Sequence, residues 1–462
     1  MSRWRAGTTV VLALALSASC SPAQPTAAPG LSLVLGRPTA ISVTVSILTD
    51  RTAEGCVGWG TESGRYSHAT VPQRFLPGQV AEIVLGGLQP DTRYYYRLQA
   101  DAVASEEHSF HTQRAPGRSF TFTITADSHL DAATSLPLYE QTLANARADG
   151  PDFHIDLGDT FMTDKHVTRD QAARQYLTQR HCFGLVAASA PLFVVLGNHD
   201  GEAGRWLDGT RGSLGVWANL TRKRYFPNPQ PNGFYSGNQA ADPHAGTLQD
   251  YYAWEWGDAL FVVLDPYWYT PRQRGADDNW TRTLGDEQYR WLAATLAQSP
   301  ARYKFVFIHQ LVGGVGRDGR GGVEAASLYE WGGRDPDDTD SFAVRRPGWE
   351  APIHELLVRN RVTAVFHGHD HLFAAQELDG VAYFAVPQPG RAGRENTRLA
   401  AEYGYRQGTI LSSPGHLRVT VSPNEAVVEY IRSSLTTDEY AGLVNREVRH
   451  SGHLAPTAAA QP

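Results

Sequence analysis

The sequence predicts an all-β sandwich domain followed by a larger α/β domain. Between Leu31 and about Thr112, short apolar runs are separated at short intervals by Gly, Pro, Asn and Asp, which is typical of a β-sandwich. After Arg118, strand-like apolar runs alternate with segments of helical pattern, which indicates an α/β fold. At 462 residues the chain is also too long for one compact core, so two domains are expected.

The sandwich prediction depends on several short strand-like runs. Residues 41–47 alternate apolar with small polar side chains, and a period of two places one face of a strand in a core. Three further runs rich in β-branched or aromatic residues lie near 57–59, 81–85 and 94–98. We assign residues 28–114 to this domain.

The α/β prediction depends on a longer series of apolar runs that begins at Phe120. The main strand candidates are residues 120–125, 153–157, 192–196, 260–264, 304–308 and 362–366. Later runs at 381–386, 417–421 and 426–431 predict further strands, in a second sheet. We assign residues 118–435 to this domain and 436–462 to a C-terminal tail.

The first residues predict export. Two arginines lie within the first five residues, residues 9–16 form an apolar stretch too short to span a bilayer, and small residues lead to Cys20. Two interpretations remain: lipid attachment at Cys20, or ordinary cleavage at a later alanine. We predict a signal peptide and linker over 1–27, and a periplasmic, cell-surface lipoprotein or secreted location.

Composition excludes several classes of function. The net charge is -7 and the sequence pI is about 6.2, and no basic stripe is visible, so a nucleic-acid-binding surface is not expected. Beyond Cys20 only Cys56 and Cys182 remain. Neither lies in a metal-spacing pattern or beside a catalytic-looking neighbour, so a cysteine metal cluster and a cysteine nucleophile are both unsupported.

Five polar clusters each follow a predicted strand. They are Asp127-Ser128-His129, Gly158-Asp159, Gly197-Asn198-His199-Asp200, His309, and His367-Gly368-His369-Asp370-His371. In α/β sheets, ligands collect at the carboxyl ends of strands. A single Asp or His there is usually just a polar loop residue, but five such clusters favour a metal centre. Mixed carboxylate and imidazole donors without thiolate suit Fe, Zn or Mn.

Four other features have less certain meaning. His154 lies inside a strand and is interpreted as a core histidine, and His367 either orients a ligand or is structural. The glycine-rich segment 313–322 lacks the Lys-Ser/Thr ending of a phosphate-binding loop, which favours a loop beside His309 at the substrate entrance. The aromatic stretch 206–256 favours packing over the sheet rather than a recognition lobe.

The five clusters, in this order between Asp127 and His371, resemble the motifs of the calcineurin-like metallophosphoesterase superfamily. Residues 57–61 (VGWGT) and 87–96 (GLQPDTRYYY) further resemble the N-terminal domain of its purple acid phosphatase branch. The likeness extends from about Leu31 to about Ile431. It implies a fibronectin III-like sandwich followed by a metallophosphoesterase domain, which is a four-layer αββα sandwich.

The resemblance also implies residue roles in a centre of two divalent or trivalent ions. One ion would be held by Asp127, His129, Asp159 and His371. The other would be held by Asp159, Asn198, His309 and His369, so that Asp159 bridges both. His199 would be catalytic, stabilising the transition state or protonating the leaving oxygen.

Two positions depart from the purple acid phosphatase pattern. That branch places an iron-binding tyrosine three residues after the bridging aspartate, where this chain has Met162. It usually lacks a first-motif histidine, which His129 supplies here. Some superfamily members use the Met162 position for an aspartate that pairs with the catalytic histidine. Asp164 and Asp200 are the two candidates for that partner.

The resemblance implies hydrolysis of phosphate ester substrates by a metal-bridging hydroxide nucleophile. A phosphomonoesterase of acid phosphatase type is the leading hypothesis, and a phosphodiesterase or nucleotidase with the same centre is the alternative. A surface-binding protein with an inactive catalytic domain is a third hypothesis. It is disfavoured because Asp159, Asn198 and His199, which an inactive relative would lose, are all present.

Overall fold

The computed structural model describes residues 30–457, apart from residue 102 and the segments 272–278, 392–394 and 438–441. The predicted signal peptide over 1–27, with Cys20, therefore lies outside the described residues. Within the described ranges, no helix combines the length and the apolar character needed to cross a membrane.

The N-terminal domain is a two-sheet β-sandwich, as predicted. Its strands are β1 (Leu31–Gly36), β2 (Ser42–Thr49), β3 (Ala53–Gly60), β4 (His68–Ala69), β5 (Gln73–Phe75), β6 (Val80–Gly86), β7 (Arg93–Ala100) and β8 (His108–His111). One sheet contains β1, β2 and β6, and the other contains β3, β4, β5, β7 and β8. Alternating side chains of both sheets, including Val45, Ile47, Tyr94 and Tyr96, form a shared apolar core.

The rest of the described chain forms an α/β domain. Its strands are β9 (Phe120–Thr125), β10 (Phe153–Asp156), β11 (Leu192–Val194), β12 (Ser236–Gly237), β13 (Ala241–Asp242), β14 (Gly246–Thr247), β15 (Tyr252–Trp256), β16 (Ala259–Val263), β17 (Tyr303–Phe307), β18 (Ala364–His367), β19 (Leu372–Leu378), β20 (Val381–Ala385), β21 (Thr409–Ser412), β22 (Gly415–Val421), β23 (Ala426–Arg432) and β24 (Val448–Leu454). Its α-helices are α1 (Leu136–Ala148), α2 (Arg169–Ala187), α3 (Leu214–Tyr225), α4 (Asp286–Gln298), α5 (Tyr329–Gly332), α6 (Phe342–Arg345), α7 (Ile353–Arg359) and α8 (Glu395–Leu399). Short 3₁₀ helices lie at Thr163–Lys165, Gly204–Trp206, Asn279–Thr281 and Val323–Ala325.

Two large sheets face each other in this domain. One has the order β11-β10-β9-β22-β23-β24, and the other has the order β12-β15-β16-β17-β18-β20-β19-β21. Buried aromatic side chains such as Phe122, Phe153, Phe261 and Phe305 pack between them. Helices α1 and α2 cover the outer face of the first sheet, and α4 and α7 cover the outer face of the second. This is the predicted four-layer αββα arrangement.

Two predictions about the layout are wrong. The runs 417–421 and 426–431 do not share a sheet with 381–386, because β22 pairs antiparallel with β9 in the first sheet while β20 pairs with β18 in the second. The predicted tail also contains β24, which pairs antiparallel with β23. This edge strand is polar and partly exposed along its length, so it has no apolar alternation from which to predict it.

The sandwich contacts the α/β domain through α2 and the residues that follow it. The hydroxyl of Tyr96 donates to the backbone oxygen of Ala188 at 2.8 Å. The buried guanidinium of Arg180 on α2 donates to the backbone oxygen of Ser46 at 2.8 Å. Cys56 and Cys182 are both free thiols. Helix α2 thus contacts the sandwich on one side and the loops that carry the polar clusters on the other.

Candidate metal centre

The five polar clusters converge at one place. Three of them follow β9, β10 and β11 in the first sheet, and two follow β17 and β18 in the second. Because these strands run parallel within each sheet, their carboxyl ends meet at one edge of the layered domain. The side chains gather there in two adjoining groups.

The first group contains Asp127, His129 and His371, whose donor atoms all lie within 4.8 Å of one another. Asp127 Oδ1 lies 3.7 Å from His129 Nε2 and 3.4 Å from His371 Nε2. We call these residues the first cluster. Asp127 and His129 are buried, and the side chain of His371 is 21% exposed.

The second group contains Asp159, His309 and His369, again with donor atoms within 4.8 Å. Asp159 Oδ2 lies 3.5 Å from His309 Nε2, and Asn198 Oδ1 lies 3.1 Å from the same nitrogen. We call these four residues the second cluster. All seven predicted metal-site residues therefore lie in these two clusters.

Asp159 lies between the clusters. Its Oδ2 is 3.5 Å from His309 Nε2 on one side and 3.6 Å from His129 Nε2 on the other. The sequence comparison implied that this carboxylate would be shared, and its position between the two groups is compatible with contact to an ion in each.

The donor atoms fit a pair of metal ions. Asp127 Oδ1, His129 Nε2 and His369 Nδ1 are buried, and the described chain offers them no hydrogen-bond partner, which is costly unless something else compensates. Most of the separations above are too long for hydrogen bonds. They suit two ligand atoms that share one ion, because ligands at about 2.1 Å in tetrahedral geometry are about 3.4 Å apart.

Electrostatics keeps the carboxylates ionised. Burial alone would raise the pKa of Asp127, but the neighbouring His309 and His371 hold it well below its usual range. The pKa of Asp159 is lowered in the same way, against the effect of burial, by His309 and His129. Burial lowers the pKa of His369, which favours the neutral imidazole that can bind a metal.

Outer contacts fix the orientation of the imidazoles. His309 Nδ1 donates to the backbone oxygen of Leu157 at 2.7 Å, which leaves Nε2 directed at the second cluster. His369 Nε2 donates to the backbone oxygen of Asp318 at 3.0 Å, which leaves Nδ1 for the cluster. Such contacts select the tautomer and orientation of metal-binding histidines.

The loops that carry the clusters have unusual backbone geometry. Five cluster or motif residues other than glycine have positive φ, from 51° to 71°: Asp127, His129, Asp159, His369 and His371. Such residues are uncommon elsewhere and concentrate at functional sites. At Gly158, with φ of 92°, a Cβ atom would lie 2.4 Å from the backbone nitrogen of Gly197. Only glycine lets these two motif loops approach so closely.

Asp200 stabilises this backbone rather than pairing with His199. Its buried carboxylate accepts hydrogen bonds from the backbone nitrogens of Asp159, Thr160, Phe161 and Gly197, at 2.7–3.1 Å. Four donors saturate the carboxylate and connect the Gly158-Asp159 motif to the motif at residues 197–200. The last residue of the third motif is therefore structural.

Helix α2 supports the same loops from behind. The side-chain nitrogen of Gln175 donates to the backbone oxygens of His129 at 2.6 Å and Thr160 at 2.9 Å. One turn later, Gln179 donates to Ser128 Oγ and to the same Thr160 oxygen. The first two motifs are thus held in register by two buried glutamines that carry no motif signal in the sequence.

His199 pairs with Asp164. Its Nδ1 lies 3.0 Å from Asp164 Oδ1, while Arg205 contacts the other carboxylate oxygen at 3.3 Å. Of the two candidate partners, Asp164 is therefore the one in contact. It orients the ring so that Nε2 remains available on the side of a cavity that His199 lines.

That cavity has a volume of about 400 Å³. It is bordered by three residues of the predicted site, Asn198, His199 and His369, and by part of the glycine-rich segment 313–322, as the sequence predicted. It is also bordered by five cationic side chains that we call the cationic wall: Lys165, Arg205, Arg282, Arg317 and Arg320. Sequence reasoning missed this wall, because its members are scattered over loops and short helices without a common motif.

The two remaining histidines and much of the aromatic stretch lie in buried surroundings. His154 is a buried core histidine between the hydroxyls of Thr123 and Thr125, as predicted. His367 is buried, and its hydrogen bond is with the neighbouring backbone oxygen of Gly368 rather than with a predicted ligand side chain. Within the stretch 206–256, Trp254 stacks on Phe193 with centroids 4.0 Å apart. Tyr235, Tyr252 and Trp256 are also buried, as predicted, whereas Trp206 is 37% exposed.

Comparisons with known proteins agree with this geometry. The model of the calcineurin-like phosphoesterase family matches residues 120–373, which is more than half of the chain. The model of the purple acid phosphatase N-terminal domain matches residues 29–112. No curated protein sequence matches the chain.

Two solved structures share the fold along most of their lengths. PhoD is 16% identical with a TM-score of 0.66, and the match covers 93% of this chain and 92% of PhoD. Purple acid phosphatase PPD1 from yellow lupin (Lupinus luteus) seeds is 15% identical with a TM-score of 0.60, over 92% of this chain and 74% of that one. At these identities the likeness establishes the fold alone. Together with the family match, it shows that this chain is a metallophosphoesterase of the calcineurin-like phosphoesterase family.

Proposed function

We propose that this enzyme hydrolyses phosphate monoesters with two metal ions held by the first and second clusters. The position of Asp159 Oδ2, 3.6 Å from His129 Nε2 and 3.5 Å from His309 Nε2, carries this proposal. A carboxylate placed between two groups of donors is suited to bridge two ions. Fe, Zn and Mn suit the mixture of carboxylate, amide and imidazole ligands.

When bound, such a pair of ions supplies a hydroxide nucleophile near neutral pH and stabilises charge on the phosphoryl oxygens. The remaining chemistry belongs to the side chains that border the cavity. His199 Nε2 protonates the leaving oxygen, and Asp164 keeps the ring in the tautomer that carries this proton. Arg205 holds Asp164 and the backbone oxygen of Asn198, at 2.7 Å for the latter, so it fixes His199 relative to the second cluster.

The charge around the cavity favours a monoester over a diester. A phosphate monoester carries about two negative charges at neutral pH, whereas a diester carries one. The cationic wall therefore stabilises a bound monoester more strongly than a bound diester, because electrostatic attraction increases with the negative charge of the ligand.

The test measures nitrophenol release by the metal-loaded protein from 4-nitrophenyl phosphate and from bis(4-nitrophenyl) phosphate, which share one leaving group. We expect kcat/KM to be at least about tenfold higher for the monoester, a difference of about 1.4 kcal/mol. A higher value for the diester would assign a phosphodiesterase instead. Absence of both activities, with two metals bound, would favour the inactive surface protein.

We also propose that the protein is exported, on the evidence of its leader sequence. The mass of the N-terminal peptide from the mature protein tests this. A lipid-modified Cys20 indicates a lipoprotein, and an N-terminus at a later alanine indicates ordinary secretion. An intact Met1 terminus in the mature protein would contradict export.

A further inference from the structure

The cationic wall and the second cluster border the same cavity. Asn198, His199 and His369 contribute to one part of the lining, and the five cationic side chains contribute to another. A phosphate bound at the metal centre would therefore leave the rest of its molecule among these side chains. The ability of these cationic side chains to bind an anion depends on how far the protein's own carboxylates already neutralise them.

Arg282 is held in the wall by backbone oxygens and not by an acid. Its Nη1 donates to the backbone oxygen of Gly313 at 2.7 Å, and its Nη2 donates to that of Arg317 at 2.5 Å. Among the described residues, no carboxylate lies within ion-pair distance of it. Burial lowers the pKa of its guanidinium and nearby Arg205 lowers it further, although Tyr267 and Asp318 act in the opposite direction. Arg282 and Arg205 are two cations that line one cavity, and removing them from water is unfavourable. A bound anion would offset this cost.

The glycine-rich segment is shaped around this guanidinium. Gly319 has φ of 72°, and a Cβ atom placed there would lie 1.7 Å from Arg282 Nη1. Any side chain at 319 would displace the arginine or the loop. The absence of a side chain thus allows Arg282 to lie against residues 313–319, with its two hydrogen bonds fixing the position of the planar group.

The other members of the wall are only partly neutralised. Arg320 contacts Asp370 at 3.2 Å and lies 4.4 Å from the ring centroid of Tyr403. Arg205 contacts Asp164 at 3.3 Å. Lys165 and Arg317 are exposed, and the cavity lining contains one acid, Asp318.

The charges around the cavity therefore do not balance. Five cations face Asp318 and the two paired carboxylates of Asp164 and Asp370. Among the side chains that line the cavity and their ion-pair partners, the excess is therefore positive, and the ions of the proposed metal centre would offset the carboxylates of Asp127 and Asp159.

We propose that the cationic wall binds a second phosphate group, so that the preferred substrates are small organic phosphates that carry two phosphates. The proposal rests on the proposed phosphomonoesterase function for the reacting phosphate. Arginine forks bind phosphate in bidentate fashion, and charge-assisted hydrogen bonds are the strong ones. A cavity of about 400 Å³ falls in the range of small-molecule sites.

The test measures binding, so that it does not depend on turnover. The affinities of propane-1,3-bisphosphonate and propylphosphonate for the metal-loaded protein are compared by calorimetry, since neither ligand has a hydrolysable ester. We expect the bisphosphonate to bind at least about tenfold more tightly in the wild type. Arg282→Gln should reduce this ratio to about threefold or less. Arg290→Gln, which removes an exposed arginine on α4, should leave it unchanged.

A second variant guards against misfolding. Arg282 also holds the glycine-rich loop in place through its two hydrogen bonds, so its substitution alters the loop as well as the charge. Lys165→Gln/Arg317→Gln alters only exposed side chains and should also lower the ratio by about threefold or more. Equal affinities for the two ligands in the wild type, or a ratio that both cationic-wall variants leave intact, would overturn the proposal. Tight, Arg282-dependent binding without any esterase activity would instead refute the proposed function and leave this site standing.

Discussion

The two clusters of the metal centre differ in what surrounds them. Asn198 and His369 of the second cluster border the cavity, whereas the first cluster, Asp127, His129 and His371, does not contribute to its lining. The second cluster is also adjacent to His199 and the cationic wall. This difference favours distinct roles in the proposed centre: the first cluster would hold one ion, and the second would hold the ion that faces the substrate. Asp159 connects the two.

Asp159→Ala has the largest expected effect. Because this carboxylate lies between both clusters, its loss should release both ions and reduce activity to background. Asp127→Ala should instead remove the first ion and retain the second. Metal analysis of both variants measures the difference. Equal metal content in Asp159→Ala and wild type, with near-normal activity, would contradict the shared role of Asp159.

His199→Ala should slow the reaction by about 10²–10⁴-fold for substrates with poor leaving groups, because a general acid helps departure by that amount. Both ions should remain bound, since His199 belongs to neither cluster and its Nδ1 is paired with Asp164. Phenyl or nitrophenyl esters, which need less protonation, should be slowed less than alkyl esters. These rates are measured as kcat for the metal-loaded variant.

Asp164→Asn provides the matched control for this assignment. It leaves His199 in place but removes the charge that orients it, so a smaller loss of about 10–100-fold is expected. Equal slowing of alkyl and nitrophenyl esters in His199→Ala would replace the acid role with electrostatic stabilisation. Loss of metal in that variant would make His199 a ligand.

Asp149 is a buried carboxylate that contrasts with Asp127 and Asp159, because its charge is balanced by side chains of the protein and not by a proposed metal ion. It contacts His416 at 2.7 Å, Arg418 at 2.9 Å and Arg446 at 2.8 Å. Asp149→Ala should lower the free energy of unfolding by about 1–3 kcal/mol, since it leaves buried His416 without its partner, whereas Arg418 and Arg446 are partly exposed to solvent. Metal content should not change, in contrast to Asp127→Ala.

The effect of Asp149 should depend on pH. Burial opposes ionisation, but His416 and the two arginines hold the pKa of Asp149 below its ordinary value of 3.8. A carboxylate with a lowered pKa stabilises the fold above its unfolded pKa and loses this contribution as pH falls through the folded value. The difference between wild type and Asp149→Ala, measured by denaturant unfolding, should be full at pH 7 and shrink below about pH 4. A constant difference would contradict this.

The smallest expected effect is spectroscopic. Met162 occupies the position of the iron-binding tyrosine of purple acid phosphatases and is buried. Tyr267, which borders the cavity, donates its hydroxyl to Gln310 at 3.1 Å. Iron-loaded protein should therefore lack the visible absorption of a tyrosinate–iron bond. A purple form would show that a phenolate reaches the first or second cluster.

Much of the fold followed from apolar periodicity. Strands β9, β16 and β17 lie within a residue of their predicted bounds. β16 is a continuous apolar run, as expected of a strand buried on both faces, and β9 alternates apolar residues with threonine. The order of the strands in the sheets could not be predicted, since an apolar run such as 417–421 indicates a strand but does not show which strand it pairs with. Strand β24 was missed because an exposed edge strand needs no apolar face.

The site shows the same limit. Asp127, Asp159 and His309 could be found because motif order and strand ends coincide. Asp164 and Asp200 could not be told apart as partners of His199, because both lie near a motif and only three-dimensional contacts distinguish them. The cationic wall was invisible for a related reason: Arg205, Arg282 and Arg320 become neighbours only after folding.

The central claim is that phosphate esters are hydrolysed at a shared two-metal centre. It is tested most directly by adding Mn²⁺ or Zn²⁺ stepwise to metal-free protein, while bound metal and phosphate release from phenyl phosphate are measured together. We predict no activity in the metal-free protein, and full activity only when two ions are bound per chain. Full activity without metal, or with one ion per chain, would contradict the account.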